Sequence, residues 1–316
     1  MNYITGMRDR SRFLDQIERA LPGALDDVGP LGDAARHLVL GAGAKRARPL
    51  LAHQLSALFG ERVREPALLD IALATELIHS ASLLHDDVID SSDERRGRPT
   101  ANRAFGNITA VLAGDLVLSR ALKLLRRHPA ELERKAMAVV EEMTRAAFAE
   151  VRARGDYAFP LAAWREMAEG KSGALFGLSG ALLALLAGDD DLASRLDEMG
   201  RHLGVAFQIA DDLDDLDGTE LPDLRDGNPS YPVLLAAHAD PSLQRRLSSA
   251  VPASLPALAA EIRASGAIAQ SRRAIALEVS RARAVVGPAA DHLALRELWS
   301  WASQLGGAHS FEQAAI

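Results

Sequence analysis

Apolar residues recur at three- and four-residue spacing along most of the chain, which is the pattern of helices that bury one face. No segment shows the alternation of β-branched or aromatic residues with polar ones that is typical of strands. The chain is also rich in the good helix formers Ala, Leu, Arg and Glu. The clearest periodic segments are Leu68–Leu84, Ile108–Leu125, Ala136–Val151, Met199–Leu213 and Ile268–Val286.

Proline and glycine interrupt this pattern without leaving a linker long enough to separate two domains. The interruptions are at Gly29-Pro30, Arg98-Pro99, His128-Pro129, Phe159-Pro160 and Gly218–Pro232. We therefore expect residues 1–316 to form a single all-α domain of about a dozen helices, larger than a simple four-helix bundle.

Composition excludes several classes of protein. With 36 basic and 43 acidic residues the net charge is −7, which argues against a general nucleic-acid-binding protein. The absence of cysteine excludes disulfides, thiolate metal sites and cysteine nucleophiles. The N-terminus lacks the long apolar core of a signal peptide. The most apolar run, Ala174–Gly188, is shorter than the roughly 20 residues that span a bilayer. We expect a cytoplasmic protein without a transmembrane segment.

An acidic motif, Asp86-Asp87-Val88-Ile89-Asp90, ends the first apolar helix. Asp86 and Asp90 are four residues apart and therefore project from one helix face. Like charges at this spacing destabilise a helix unless a cation lies between them. Carboxylates of this kind suit Mg²⁺, which usually takes one or two of them together with substrate phosphates. Taken alone, the motif fits a solvated helix end equally well.

The same spacing returns in Phe207-Gln208-Ile209-Ala210-Asp211-Asp212-Leu213-Asp214-Asp215, where Asp211 and Asp215 are four residues apart. If the two helices face each other, cations held by the two carboxylate clusters would bridge a diphosphate from both sides of one cavity. The acidic run Asp189–Asp191 differs, because it follows Gly188 and is predicted to cap the next helix.

Cations accompany both motifs. Lys45 and Arg48 lie in the basic segment Gly43–Pro49, and Pro49 is suited to the start of a helix whose amides could help to cradle a diphosphate. His79 lies seven residues before Asp86, two helical turns back on the same face. Taken singly, a basic surface loop and a packed core histidine explain these residues as well. The remaining candidates are Arg95 and Arg96 after the first motif, and Lys171 at the start of an apolar helix.

In combination these motifs resemble the trans-isoprenyl diphosphate synthases, or polyprenyl synthetases. The resemblance rests on the GxKRxRP loop, DDxxD followed by RRG, a Lys-Ser-Gly near mid-chain, and FQxxDDxxD, in that order between Lys45 and Pro232. It implies an isoprenoid synthase-type helical bundle around a deep central cavity, usually a homodimer, with three Mg²⁺ ions. The implied reaction joins an allylic diphosphate to isopentenyl diphosphate.

The resemblance also implies roles for individual residues. Magnesium would be ligated by Asp86, Asp90 and Asp211, with Asp87, Asp212 and Asp215 in support. The allylic diphosphate would be held by Arg95, Lys171 and Gln208. Isopentenyl diphosphate would be held by Lys45, Arg48, His79 and Arg96. Bulky aromatics at the positions of Ala81 and Ser82 stop chain growth early in that family. The two small residues here therefore predict an open tunnel and a product of geranylgeranyl length or longer.

Two features depart from the family pattern. Ala44 stands where a second glycine is usual, and the segment Asp217–Ser230 lacks two expected lysines, with Asn228 at the position of the second. Arg225 is a candidate replacement. The missing lysines leave open a non-catalytic regulatory subunit of a heteromeric synthase, although such subunits typically lose the metal-binding acids. A class I terpene cyclase is a further alternative, but it would leave the second DDxxD and the Lys45–Arg48 segment unexplained.

Overall fold

Helices account for nearly all of the regular structure. The computed structural model describes residues 3–26 and 29–307, with side chains from residue 10 onward. Its α-helices are α1 Tyr3–Ala24, α2 Pro30–Val39, α3 Ala47–Ser56, α4 Glu65–Ile89, α5 Ala101–Phe105, α6 Asn107–Leu125, α7 Ala130–Ala153, α8 Leu161–Ala168, α9 Ala174–Leu186, α10 Asp190–Asp217, α11 Pro222–Asp226, α12 Tyr231–Ala239, α13 Pro241–Ser248, α14 Leu255–Ala264, α15 Ala267–Val286 and α16 Arg296–Ala302. Short 3₁₀ turns lie at Gly60–Arg62, Pro252–Ser254, Gly287–Asp291 and Leu293–Leu295, and a π-helical turn lies at Glu169–Gly173.

The all-α prediction is confirmed. The five periodic segments lie within α4, α6, α7, α10 and α15, and each helix extends at least one residue beyond the periodic segment at one end. Asp189 caps α10 as expected, because its Oδ1 accepts a hydrogen bond from the Leu192 amide at 3.1 Å.

One two-stranded hairpin was not expected from the sequence. Strand β1 (Glu94–Arg95) pairs antiparallel with β2 (Arg98–Pro99), with Arg95 opposite Arg98. The two residues between the strands have positive φ, 54° at Arg96 and 71° at Gly97. This is the backbone of a tight two-residue hairpin turn, in which Gly97 is favoured and Arg96 is strained. Strands of two residues are too short to show alternation, so the pattern search missed them.

The chain divides into two compact units. Unit 1 takes the described residues within Met1–Ala138 and Leu178–Ala193, and unit 2 takes those within Val139–Gly177 and Ser194–Ala315. The single domain over residues 1–316 and the deep central cavity stay predictions.

Helix α4 is the core helix of unit 1, where it packs mainly against α6 and α3. By length and composition α4 could cross a membrane, but 67% of its most apolar window is buried inside the protein. That burial is typical of the core helix of a soluble protein. The sequence pattern pointed to the shorter run at Ala174–Gly188, but α4 is the helix long and apolar enough to be such a candidate.

In unit 2, α10 crosses the chain at Gly173–Gly177 with backbones almost in contact. A Cβ added to Gly204 would lie 2.4 Å from the Gly173 Cα, and one added to Gly200 would lie 2.3 Å from the Gly177 Cα. Only glycine permits this approach, since Cβ atoms do not come so close to backbone. The crossing brings the residues just before Gly173 next to the residues just after Gly204, where the second acidic motif begins.

Candidate active site

The first acidic motif lies at the C-terminal end of α4. Asp86 is partly buried, Asp87 is buried and Asp90, the first residue after the helix, is exposed. The Asp90 amide donates to the Asp86 carbonyl at 2.8 Å, so the two residues are one helical turn apart, as predicted. Their side chains therefore leave the helix from one face.

Asp87 is bound by the hairpin. Its Oδ1 accepts a hydrogen bond from Arg95 Nε at 2.9 Å and lies 2.8 Å from Arg95 Nη2, with which it forms an ion pair. The Asp87 side chain is 0% exposed, and its Oδ2 has no hydrogen-bond partner among the described residues. A buried carboxylate oxygen in this condition is open to a further donor or cation. The pair also fixes the hairpin to the motif.

Arg95 and Arg96 line a small cavity of about 330 Å³ in unit 1, counting the solvent at its mouth. We call it the Arg95 cavity. Its other lining residues are His37, Leu38, Gly41, Ala42, Asp87, Arg98, Pro99, Thr100 and Ala101.

A second group of cations surrounds His79. Burial pushes the pKa of His79 well below its ordinary value, and the charges of Arg48, Arg96, Arg95 and Arg46 lower it further. His79 is therefore neutral at pH 7 and offers one donor and one acceptor. Burial lowers the pKa of Arg48 to about 10. The charge of Arg96 also lowers this pKa, whereas the charge of Glu76 opposes the shift. The structure thus brings together three of the four residues assigned to isopentenyl diphosphate, while Lys45 is exposed.

Arg46 is a residue that the sequence analysis did not single out. It has a φ of 50° immediately before α3, and its guanidinium is 5% exposed. Its Nη2 donates to the Val39 carbonyl at 2.7 Å, and it pairs with Glu18 at 2.7 Å and Glu76 at 2.9 Å. Arg46 therefore anchors the basic segment to α2 and α4. Helix α3 begins at Ala47, so Arg48 lies in its first turn and not in the loop.

The second acidic motif lies near the end of α10 in unit 2. Asp212 is buried, and its two oxygens accept hydrogen bonds from Gln208 Nε2 at 3.0 Å and from the Tyr231 amide at 2.7 Å. Gln208 Oε1 in turn accepts from Ser172 Oγ at 2.9 Å. The glycine crossing of α10 makes this last contact possible, because Ser172 directly precedes Gly173.

Negative charge is concentrated at this motif. Burial raises the pKa of Asp212 to about 8, and the charges of Asp211 and Asp215 contribute, although two hydrogen bonds oppose the shift. Burial also raises the pKa of Asp215 to about 6, with Asp214 adding to it. Asp211 itself is exposed. A proton or a cation would relieve the repulsion among these carboxylates.

A cavity of about 370 Å³, again counting solvent at its mouth, lies beside the second motif. We call it the Lys171 cavity. Lys171 projects from the π-helical turn, a distortion that often marks functional sites, and forms an ion pair with Glu150. The lining residues are Glu150, Trp164, Met167, Ala168, Lys171, Gln208, Asp212, Asp223, Asn228, Pro229 and Ser230.

Two acids of the Lys171 cavity were missed by the sequence analysis. Asp223 is partly buried, and burial together with the charges of Asp212 and Asp215 holds its pKa well above the ordinary value. Glu150 lies on α7, a helix whose pattern gave no sign of a site. No local signal marks either residue, because each reaches the cavity through a contact distant in sequence.

Asn228 and Arg225 differ in their position relative to the Lys171 cavity. Asn228 lines the Lys171 cavity, as a lysine at that position would. Arg225 is 53% exposed, pairs with its neighbour Asp226 at 2.9 Å, and is not among the cavity's lining residues. Arg225 therefore pairs outside the lining of this cavity, although its charge acts on Asp215 and opposes the rise of that carboxyl's pKa.

The two chain-length candidates lie on α4. Ala81 is 3% exposed, and Ser82 is partly buried with its hydroxyl donating to the His79 carbonyl at 2.8 Å. That hydrogen bond stays within the helix and occupies no partner from another element. Both side chains are small, and the open tunnel stays a prediction.

The polyprenyl synthetase family model matches residues 30–262. Heptaprenyl diphosphate synthase component 2 of Geobacillus stearothermophilus is 37% identical over 238 residues, which cover 72% of this chain and 72% of that one.

Solved structures share the fold along nearly the whole chain. A decaprenyl diphosphate synthase from Rhodobacter capsulatus gives a TM-score of 0.86 at 25% identity, over 95% of this chain and 97% of that one. A polyprenyl synthase from Caulobacter crescentus CB15, complexed with calcium and isoprenyl diphosphate, gives 0.85 at 27% identity, over 94% and 95%. The chain therefore belongs to the polyprenyl synthetase family, and it is a prenyltransferase of the trans-isoprenyl diphosphate synthase type.

Proposed function

We propose that the protein condenses an allylic diphosphate with isopentenyl diphosphate in a Mg²⁺-dependent reaction, to give a trans-polyprenyl diphosphate of geranylgeranyl length or longer. The observation that carries the proposal is that each acidic motif lies beside its own phosphate-binding cations. Arg95 contacts the first motif, and Lys171 shares a cavity with Asp212 of the second. Carboxylates alone would repel a diphosphate, and cations alone would not hold a metal.

The residues present fit magnesium. Within residues 10–26 and 29–307, no three His, Asp or Glu side chains lie close enough to hold a metal without other ligands. Mg²⁺ does not require such a cage, since it usually binds one or two carboxylates plus substrate phosphates and water. The unpartnered Oδ2 of Asp87 and the raised pKa values of Asp212 and Asp215 indicate negative charge that a cation would relieve. We propose Asp86, Asp90 and Asp211 as ligands.

The reaction needs no protein nucleophile. The allylic carbon–oxygen bond breaks, the double bond of isopentenyl diphosphate attacks the allylic carbon, and transfer of a proton to the departed diphosphate forms the new alkene. Bound metal supplies positive charge that stabilises the departing diphosphate. Lys171, Arg95 and Gln208 would hold that diphosphate. Arg48, Arg96, Lys45 and neutral His79 would hold the diphosphate of isopentenyl diphosphate.

We propose that the protein is a cytoplasmic homodimer. Support for self-association comes from α6, where Ile108, Val111 and Leu112 are 78%, 38% and 47% exposed on one face. Contiguous exposed apolar side chains of this kind are typical of an interaction surface. A heteromer is the second possibility, because the relative from Geobacillus stearothermophilus is named as component 2 of its synthase.

The test is an incubation of the purified chain with Mg²⁺, isopentenyl diphosphate and allylic primers of increasing length, followed by mass spectrometry of the products. The proposal expects elongation by the chain alone and no product in EDTA. Activity that appears only after a second protein is added would favour the heteromer or the regulatory subunit. A cyclic hydrocarbon formed without isopentenyl diphosphate would favour the cyclase.

A further inference from the structure

The Lys171 cavity has more acids than cations, so Lys171 alone balances little of the charge of a diphosphate. Three of its lining residues are the acids Glu150, Asp212 and Asp223, and Lys171 is the single Lys or Arg among them. Lys171 also forms an ion pair with Glu150, so its charge is already shared with a carboxylate. Besides Lys171, Arg95 and any metal, a further cation of the protein would strengthen the binding of a diphosphate here through charge-assisted hydrogen bonds.

Arg154 is placed to supply that cation. It is the first residue after α7, four residues beyond Glu150, and so continues the helix face that carries Glu150 to the cavity. Arg154 Nε donates to the side-chain oxygen of Asn228 at 3.2 Å. Asn228 lines the cavity and donates through Nδ2 to Asp223 Oδ1 at 3.4 Å. Arg154 does not itself line the cavity; its guanidinium lies directly behind Asn228, which does.

The backbone fixes this arrangement. The Gly155 amide donates to the Gly227 carbonyl at 2.8 Å, which joins the end of α7 to the loop that carries Asn228. A Cβ on Gly227 would lie 3.4 Å from the Gly155 nitrogen, and Gly227 has a φ of 75°. Two adjacent backbone segments therefore hold Arg154 and Asn228 side by side. This contact joins residues 74 positions apart, so no local pattern predicts it.

We infer that Arg154 binds the diphosphate of the allylic substrate and takes the place of the lysine that is absent at position 228. The inference rests on the proposed function only for the identity of the substrate. A guanidinium carries five N–H donors in a planar fork that matches two phosphate oxygens. Arg154 would approach the cavity past Asn228 from the end of α7, whereas a lysine at position 228 would approach it from the loop before α12.

The first experiment measures binding of inorganic pyrophosphate with Mg²⁺ by calorimetry, and the KM values for both substrates. Arg154→Gln should raise the pyrophosphate Kd and the allylic KM about tenfold or more, with the KM for isopentenyl diphosphate nearly unchanged. Arg154→Lys keeps the charge and should lose less. Arg152→Gln is the matched control, since Arg152 is an exposed arginine of the same helix. Circular dichroism and thermal melting check folding.

The second experiment moves the charge. In the Arg154→Gln protein, Asn228→Lys should restore most of the pyrophosphate affinity, because it places a cation at the same wall of the cavity. A role for Arg154 in ordering the loop alone would not be rescued in this way, so absence of rescue overturns the inference. It is also overturned if Arg154→Gln changes the pyrophosphate Kd less than twofold, or if Arg225→Gln weakens binding more.

The two proposals fail in different ways. If the wild type elongates no primer but Arg154→Gln still weakens pyrophosphate binding, the proposed function is wrong and the inference about Arg154 is supported. If the wild type elongates primers and Arg154→Gln leaves both the pyrophosphate Kd and the allylic KM unchanged, the inference is wrong and the proposed function stands.

Discussion

Arg95 binds Asp87 through two nitrogens, with both Nε and Nη2 within 2.9 Å of Asp87 Oδ1. Because of this ion pair, two adjacent acids of the first motif have different environments. Asp87 is fully buried and holds the hairpin, whereas Asp86 is partly open to solvent on the neighbouring face of α4. The motif therefore combines one carboxylate that holds the hairpin, Asp87, with two that we propose as magnesium ligands, Asp86 and Asp90.

This difference predicts opposite stability effects for two alanine substitutions. Asp86→Ala should reduce turnover by orders of magnitude and leave the melting temperature nearly unchanged, because it removes a repelling charge from the metal-free protein. Asp87→Ala should lower the free energy of unfolding by about 2–3 kcal/mol, because it leaves Arg95 without its buried partner. Activity assays and urea denaturation measure the two effects. Equal destabilisation by both substitutions would contradict the division of roles.

Asp215 should make the metal-free protein less stable at high pH. Burial and Asp214 raise its pKa to about 6, above the ordinary value near 3.8. A carboxyl with a raised pKa stabilises the fold below its ordinary pKa, and that contribution is lost as the pH rises through about 6. In EDTA, Asp215→Asn should therefore increase stability by about 1–2 kcal/mol at pH 8, with a much smaller gain at pH 4. Thermal melting across this range measures it, and a gain independent of pH would argue against the charge explanation.

Glu278 should stabilise the fold at neutral pH and lose that contribution at low pH, the reverse of Asp215. It lies 2.6 Å from His202 Nδ1 and accepts hydrogen bonds from Arg165 Nε and Nη2 at 3.1 Å. Burial alone would raise its pKa, but the hydrogen bonds from His202 and Arg165 outweigh it and lower the pKa to about 2. A lowered pKa stabilises the fold above the ordinary value near 4.5, and that contribution is lost as the pH falls through about 2.

Glu278→Gln should accordingly reduce the free energy of unfolding by about 3 kcal/mol at pH 7, with the difference from wild type shrinking as the pH approaches 2. Urea denaturation at several pH values provides the measurement. Glu261→Gln is the matched control, because Glu261 pairs with Arg246 on the surface and should leave stability nearly unchanged. A similar loss of stability in both variants would show that the contacts of Glu278 with Arg165 and His202 contribute no more than a surface ion pair.

Whether a feature of this protein can be predicted from its sequence depends on how far apart along the chain the interacting residues lie. The helices containing Leu68–Leu84 and Met199–Leu213 were predictable, because burying one helix face imposes a periodic pattern on the sequence itself. The Asp86–Asp90 spacing followed from the same geometry. The pairs Arg46–Glu76 and Lys171–Glu150 were not predictable, because they join residues of different helices and leave no periodic signal.

Gly204 should be intolerant of any side chain. A Cβ there would lie 2.4 Å from the Gly173 Cα, where no flexible group can yield. Gly204→Ala should cost at least about 1–3 kcal/mol in stability through overpacking. It should also reduce activity by separating Ser172 from Gln208. Gly23→Ala is the control, since Gly23 lies in a helix with no atom within 4 Å of an added Cβ. That change should be neutral or stabilising, as expected for replacing glycine within a helix.

Ser82 should determine how long the product grows. It lies four residues before Asp86 on the same face of α4, so a chain extending from the diphosphate along that face passes Ser82 first. Its hydroxyl donates only to the His79 carbonyl of its own helix, a bond whose loss costs little, so a larger side chain can be introduced without breaking a tertiary contact. Ser82→Phe should therefore shift the main product towards farnesyl or geranyl diphosphate and leave the rate of the first condensation within a few-fold of wild type. Mass spectrometry of products from a short allylic primer gives the distribution, and Leu83→Phe, one residue further along the helix, should leave it nearly unchanged. A wild type that stops at farnesyl, or an unchanged distribution in Ser82→Phe, would show that the tunnel is closed elsewhere and that the small side chains serve only close helix packing.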